Sequence, residues 1–184
     1  MRRRQLLLLA GTGPSFMASG CLSIRPSSDS DEVEPPEPDC DEASRPEPDD
    51  PGPDTEDALG PTTYPEKPTS FDDDTLLEYA EAYERAYRRN TLVEQFGDRL
   101  RDYDLIVRDI RVEEEGEGAV VRIEYTFSET YEDAGSDATL IGDSGKVVAY
   151  YVDESVLVRA ETDRSQNDSG PDPLAQGTVL ECFE

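Results

Sequence analysis

The chain has 184 residues, with 44 Asp and Glu against 17 Lys and Arg, a formal net charge of -27 at neutral pH, and no histidine. That balance excludes nucleic acid as a partner, because binding a polyanion is driven by Lys and Arg displacing counterions from phosphates. The missing imidazole excludes Ser-His and Cys-His nucleophile systems and ordinary zinc sites, so paired carboxylates are the main catalytic chemistry left open.

The chain begins Met1-Arg2-Arg3-Arg4-Gln5, continues with a short apolar run from Leu6 to Ala10 broken by Gly11, Gly13 and Pro14, and reaches Ala18-Ser19-Gly20-Cys21. Crossing the hydrocarbon core takes about 20 consecutive apolar residues. Residues 1–20 therefore read as a cleaved signal peptide and not as a membrane helix. Arg3-Arg4-Gln5-Leu6-Leu7 resembles the twin-arginine export motif, with Arg2 at the customary polar position. Ala18-Ser19-Gly20-Cys21 resembles the lipobox of prokaryotic lipoproteins, with Ala18 where Leu is commonest. The resemblance implies that Cys21 is lipid-modified and becomes the new amino terminus. It also implies membrane lipid as the anchoring partner and a place at the cell surface, on the outer face of the cytoplasmic membrane. The alternative is an ordinary cleaved signal with an incidental cysteine.

Residues 21–69 are dominated by Pro, Asp, Glu and Ser, as in Asp31-Glu32-Val33-Glu34-Pro35-Pro36-Glu37-Pro38-Asp39. So little apolar surface cannot offset the entropy of ordering, which predicts an extended, self-repelling, disordered tether. Carboxylates dominate the remainder too, and Lys67 and Lys146 are the only lysines. This composition resembles the proteins of salt-loving archaea, whose hydrated acidic surfaces stay soluble when concentrated salt screens charge.

Residues 70–184 read as one folded domain. Ser70-Phe71-Asp72-Asp73 has the character of a capping box, and Leu76, Tyr79, Ala80, Tyr83, Ala86 and Tyr87 recur at helical spacing. Glu81 with Arg85 and Glu84 with Arg88 are spaced as pairs on a solvated helix face. An irregularity is expected near Asn90 and a stop at Gly97. The period then falls to two, predicting strands over 103–112, 119–128, 147–152, 155–161 and 178–183. The stretch from Glu132 to Gly145 reads as a polar connection.

One amphipathic helix ahead of a four- to five-stranded antiparallel sheet buries both apolar faces by packing one on the other, giving an α+β fold. The element order resembles the cystatin-like or NTF2-like layout. A helix with Tyr83-Glu84-Arg85-Ala86-Tyr87 and Asn90, set before such strands and between flanking cysteines, is also similar to small haloarchaeal surface lipoproteins. Neither resemblance implies an activity.

With Cys21 consumed by lipidation, Cys40 and Cys182 are left to pair outside the cell, free thiols or intermolecular bonds being the alternatives. Asn167-Asp168-Ser169 fits the glycosylation acceptor pattern in a polar loop. Tyr79, Tyr83 and Tyr87 could line a small pocket beneath the sheet, or simply fill the core. Asp72-Asp73-Asp74 reads as helix capping, since it lacks the spacing and glycine of a calcium loop. No cofactor motif or metal site is present, and the expectation is a non-catalytic binding or envelope-interaction module. The alternative is a solute-binding pocket in the cystatin-like or NTF2-like domain. The first predicts an exposed apolar patch or sheet edge, and the second an enclosed cavity.

Overall fold

A computed structural model describes residues 39–52, 57–136, 138–164 and 170–183, all within the compact unit Pro35–Glu184. The signal peptide, Cys21, the first part of the expected tether and Asn167 lie outside the described residues.

Helix α1 runs from Asp73 to Phe96 without interruption. Its cap is Asp72, whose Oδ1 accepts from the Thr75 N–H at 3.0 Å, while Ser70 donates to the same carboxylate. The Ser70 hydroxyl, and then the Thr75 backbone, hold the Asp72 carboxyl down at about 2. Asn90 causes no irregularity, because its side chain bonds outward: Oδ1 accepts from Thr62 N–H at 2.9 Å, and Nδ2 donates to Thr62 C=O at 3.0 Å. Gly97 ends the helix at a φ of 58°, a conformation that disfavours side chains, with its N–H on the Val93 carbonyl.

Five antiparallel strands follow: β1 (Leu100–Glu115), β2 (Gly118–Glu132), β3 (Thr139–Val152), β4 (Val156–Asp163) and β5 (Thr178–Cys182). They pair in sequence order, β1-β2-β3-β4-β5, as an open meander. A short helix, α2 (Pro173–Gln176), capped by Asp172, precedes β5. The fold is α+β, with one long helix on a five-stranded antiparallel open sheet.

The main core lies between α1 and the inner sheet face, where Leu76, Tyr79, Ala80, Tyr83, Leu92 and Val93 meet Val121, Ile123, Tyr125, Val148, Tyr150, Val152 and Leu157. Burying a side chain such as Leu76 stabilises the fold by about 1.5–3 kcal/mol. A smaller cluster, Val120, Ala149, Tyr151, Val156 and Val158, occupies the outer face with Leu174 of α2 against it.

Two differences from the sequence reading matter for function. First, order begins before Ser70. Cys40 and Cys182 form a disulfide across 142 residues, with Cα atoms 5.8 Å apart. From there residues 39–52 and 57–69 lie along the domain. Ser44 N–H bonds Val179 C=O at 3.0 Å, and Leu59 N–H bonds Leu100 C=O at 2.8 Å. Arg45 lies 4.4 Å over the Tyr64 ring and contacts Glu181 at 2.5 Å, and Tyr64 packs 4.8 Å from Tyr83. The disulfide, these polar anchors and the packing of Leu59 and Tyr64 against the main core hold the strap. Second, residues 139–145 are strand and not connection. Thr139 to Gly145 pair with Glu132 to Thr126 of β2, so β3 is 14 residues long.

Candidate functional site

Two features of the domain are chemically unusual: an ionic cluster inside the core and, beside it, a strand edge that no described strand covers.

The cluster forms because α1 lays Glu84 and Arg88, one turn apart, onto the inner sheet face. Glu84 is 1 % exposed. Its Oε2 accepts from Tyr150 OH at 2.6 Å and Arg159 Nε at 2.9 Å, and its Oε1 accepts from Arg159 Nη2 at 2.9 Å and from Tyr125 OH. Tyr150 and Arg159 are directly opposite across β3 and β4. Arg88 donates to Tyr125 OH at 2.8 Å and pairs with Glu161, which also takes Arg159 at 2.5 Å and Lys146 at 2.9 Å. Tyr87 stacks under the Arg159 guanidinium at 4.0 Å.

Electrostatics fix the protonation states of this cluster. Burial pushes the Glu84 carboxyl up, but Arg159 and Arg88 together with the Tyr125 hydroxyl outweigh it, and the group lies below the ordinary carboxylate range. Burial opposes the charge of Glu161 as well, and Arg159 and Arg88 bring it down to about 2. Burial and the Glu84 carboxylate drive the Tyr125 and Tyr150 phenols well up, so both remain donors. One buried carboxylate, Glu84, and the half-buried Glu161 thus meet two buried guanidiniums, and Glu84 accepts four hydrogen bonds. A carboxylate saturated in this way and held ionised has no proton to give and no lone pair turned to a substrate. The arrangement suits a structural lock, in which neighbouring bonds reinforce one another.

The sequence reading set Glu84 and Arg88 on a solvated face. That holds for Glu81 with Arg85, which are 2.8 Å apart and exposed, but Glu84 and Arg88 are buried 3.7 Å apart. The signal available in the sequence was Arg159 and Glu161 on the alternation of an otherwise apolar strand. Of the three tyrosines, Tyr83 is fully buried among Tyr64, Tyr79 and Tyr150, with ring centroids 4.8, 5.7 and 5.9 Å away. Tyr79 is 6 % exposed, and Tyr87 is half-buried against Arg159. Tyr79 and Tyr83 share one aromatic layer, and Tyr87 belongs to the ionic cluster. Among the described residues no group of three or more His, Cys, Asp or Glu could hold a metal ion, and Asp72 is engaged as a cap.

The strand edge arises because β3 outruns β4. Pairing between them starts at Lys146 opposite Asp163, with one further bond from Arg164 N–H to Gly145 C=O at 3.2 Å. Below that point β2 flanks Thr139–Ser144 on one side, and no described strand flanks the other. Ile141 is 76 % exposed and Leu140 is 40 % exposed. A Cβ at Gly142 would stand 2.1 Å from Glu129 Oε1, so the end of that flexible side chain would have to shift to admit one. Thr126, Asp143, Ser144, Gly145, Asp163 and Arg164 line an open notch where β4 stops.

The other two edges carry more of the features that discourage strand addition, although β1 also exposes Ile106 at 48 %. β1 carries Arg101, Asp102, Asp104, Arg108, Asp109, Arg111 and Glu113, is bent by irregularities near Leu100 and Val107, and gives its Leu105 carbonyl to Arg85 at 2.8 Å. β5 is five residues long and is covered by Ser44 and the disulfide. Charges, bulges, short length and covering segments are the usual devices that keep an edge from pairing. Residues 139–144 have a single charge, Asp143, and no proline or bulge.

No protein-family model, curated protein or solved structure matches the chain.

Proposed function

We propose that the protein is a lipid-anchored surface module, held at the outer face of the cytoplasmic membrane through Cys21, that binds a partner at the envelope and performs no catalysis. The single observation that carries the binding role is the bare edge at Thr139–Ser144 with Leu140 and Ile141 exposed, in a domain whose other edges are better guarded. An extended segment added there would gain main-chain hydrogen bonds for affinity and alternate side-chain contacts for specificity. The helix-then-meander order is similar to the cystatin-like or NTF2-like layout, and in this reading the sheet serves as a platform. The solute-pocket alternative has less support, because Tyr79 and Tyr83 pack on one another and on Tyr64 and Tyr150.

Two experiments test the proposal. Cys21→Ser should release the mature protein into the medium, and its continued fractionation with membranes would overturn the anchor. A photo-crosslinking residue at Ile141 should form protein adducts in intact cells, while the same group at Arg108 on the charged edge should form few. Equal labelling at both positions, or none at Ile141, would remove the edge as the binding element.

A further inference from the structure

We infer that the bare edge of β3 pairs with the same edge of a second copy of this chain, antiparallel about a two-fold axis through Ile141; this rests on the binding role proposed for that edge. The register follows from which backbone groups are turned outward. Gly145 accepts from Arg164 across the β4 side, and in an antiparallel ladder the residues that face one neighbour alternate. Asp143, Ile141 and Thr139 therefore turn their N–H and C=O groups to the open side. Self-pairing must join outward residues to outward residues.

Centring the axis on Ile141 makes all three pairs chemically complementary. Ile141 meets its own copy, so the most exposed large apolar side chain among the described residues covers itself. Thr139 stands opposite Asp143, and Asp143 opposite Thr139, which puts a hydroxyl donor against a carboxylate acceptor twice. On the other face Leu140 stands beside the side-chain-free Gly142 of the second copy. The ladder gains about six backbone hydrogen bonds. Moving the axis to Gly142 would instead set Ile141 against Asp143 and would require Gly145, which Arg164 already occupies. An axis at Ile141 leaves that bond intact. It also brings the β2–β3 turn of each copy, with Asp133, towards the notch holding the half-exposed Arg164 of the other.

Charge sets the conditions. Two chains of formal charge -27 repel, and that repulsion reaches about 10 Å in 0.1 M salt but only about 3 Å in 1 M salt. Edge pairing is short-ranged and survives screening, so association strengthens as salt rises.

The test uses the full chain with Cys21→Ser, so that neither lipid nor a spare thiol intervenes. Sedimentation should show a dimer in 2 M NaCl, with a dissociation constant at least tenfold weaker in 0.1 M NaCl. Adding Ile141→Lys should give monomers at both salts with an unchanged circular dichroism spectrum. Ile141→Cys should cross-link spontaneously between copies, whereas Thr139→Cys, four residues away from its counterpart along the pair, should not. Monomers at both salts, or equal cross-linking from both cysteines, would overturn self-pairing. If adducts to a different envelope protein still form at residue 141 in cells, the binding role stands and only the identity of the occupant falls.

Discussion

The two halves of β3 are built on one pairing register with β2 yet live in opposite environments. From Val148 to Val152 no residue is more than 4 % exposed, whereas Leu140 and Ile141 are 40 and 76 % exposed. The upper half has β4 beside it, α1 over one face and the outer cluster against the other. Among the described residues the lower half has β2 as its one neighbouring strand. Upper-half residues are therefore fixed by packing and by the ionic lock, while those of the lower half are left exposed, where the proposed recognition would act. On the proposed reading, stability and binding would occupy different lengths of one strand.

The sharpest way to break this comparison is to unbalance the lock. Glu84→Gln leaves Arg159 and Arg88 in the core with only Glu161 to match them, and stability measured by urea denaturation should fall by about 3–5 kcal/mol. Glu84→Leu combined with Arg159→Met removes a matched pair and should restore most of that loss. A double variant as unstable as Glu84→Gln would show that the network stabilises through its charges and not through its balance.

Next in size is the strap. Replacing Cys40 and Cys182 by Ser should cost about 2–4 kcal/mol, somewhat less than the roughly 5 kcal/mol that chain entropy assigns to so long a loop. Hydrogen exchange should then quicken at Ser44 before it changes anywhere in β3. Uniform quickening would mean that strap and sheet unfold as one unit.

Acid should act on the upper half first. Glu84 and Glu161 are held below the usual carboxylate value of 4.5, Glu161 at about 2. Their contribution is complete above about 4.5 and is lost as the pH falls from there towards 2, because the unfolded chain takes up the protons first. Arg159→Met removes the chief opposing charge from both carboxylates and should flatten the stability profile across that window. A profile of undiminished slope would place the acid sensitivity elsewhere among the many carboxylates.

The smallest expected effect belongs to the edge. Ile141→Lys removes no buried contact and should change monomer stability by less than about 0.5 kcal/mol. A larger loss of stability would mean that the lower half is part of the core after all.

Much of the fold was legible in the chain. The stripe from Leu76 to Ala86 marked the buried side of α1, and the alternation from Ala119 to Phe127 marked the inner face of β2. The candidate edge was not legible, because Thr139–Gly145 reads as a polar, glycine-bearing connection. Its strand character comes from β2, whose long alternating run supplies a partner for every residue. The lock was hidden for a related reason. Glu84 and Arg88 have the spacing of a surface ion pair, and only Arg159 and Glu161, some 70 residues further on, make their burial tolerable.

By itself the amino-acid sequence determined the class of fold, the direction of the helix face and the availability of Cys40 and Cys182 for pairing, because periodicity and residue chemistry are local properties. Tertiary structure decided which charges are buried, how far β3 extends and which edge stays bare. Those outcomes depend on partners distant in the chain: a carboxylate goes inside only where guanidiniums and hydroxyls converge on it, and a strand edge stays open only where its neighbour has ended.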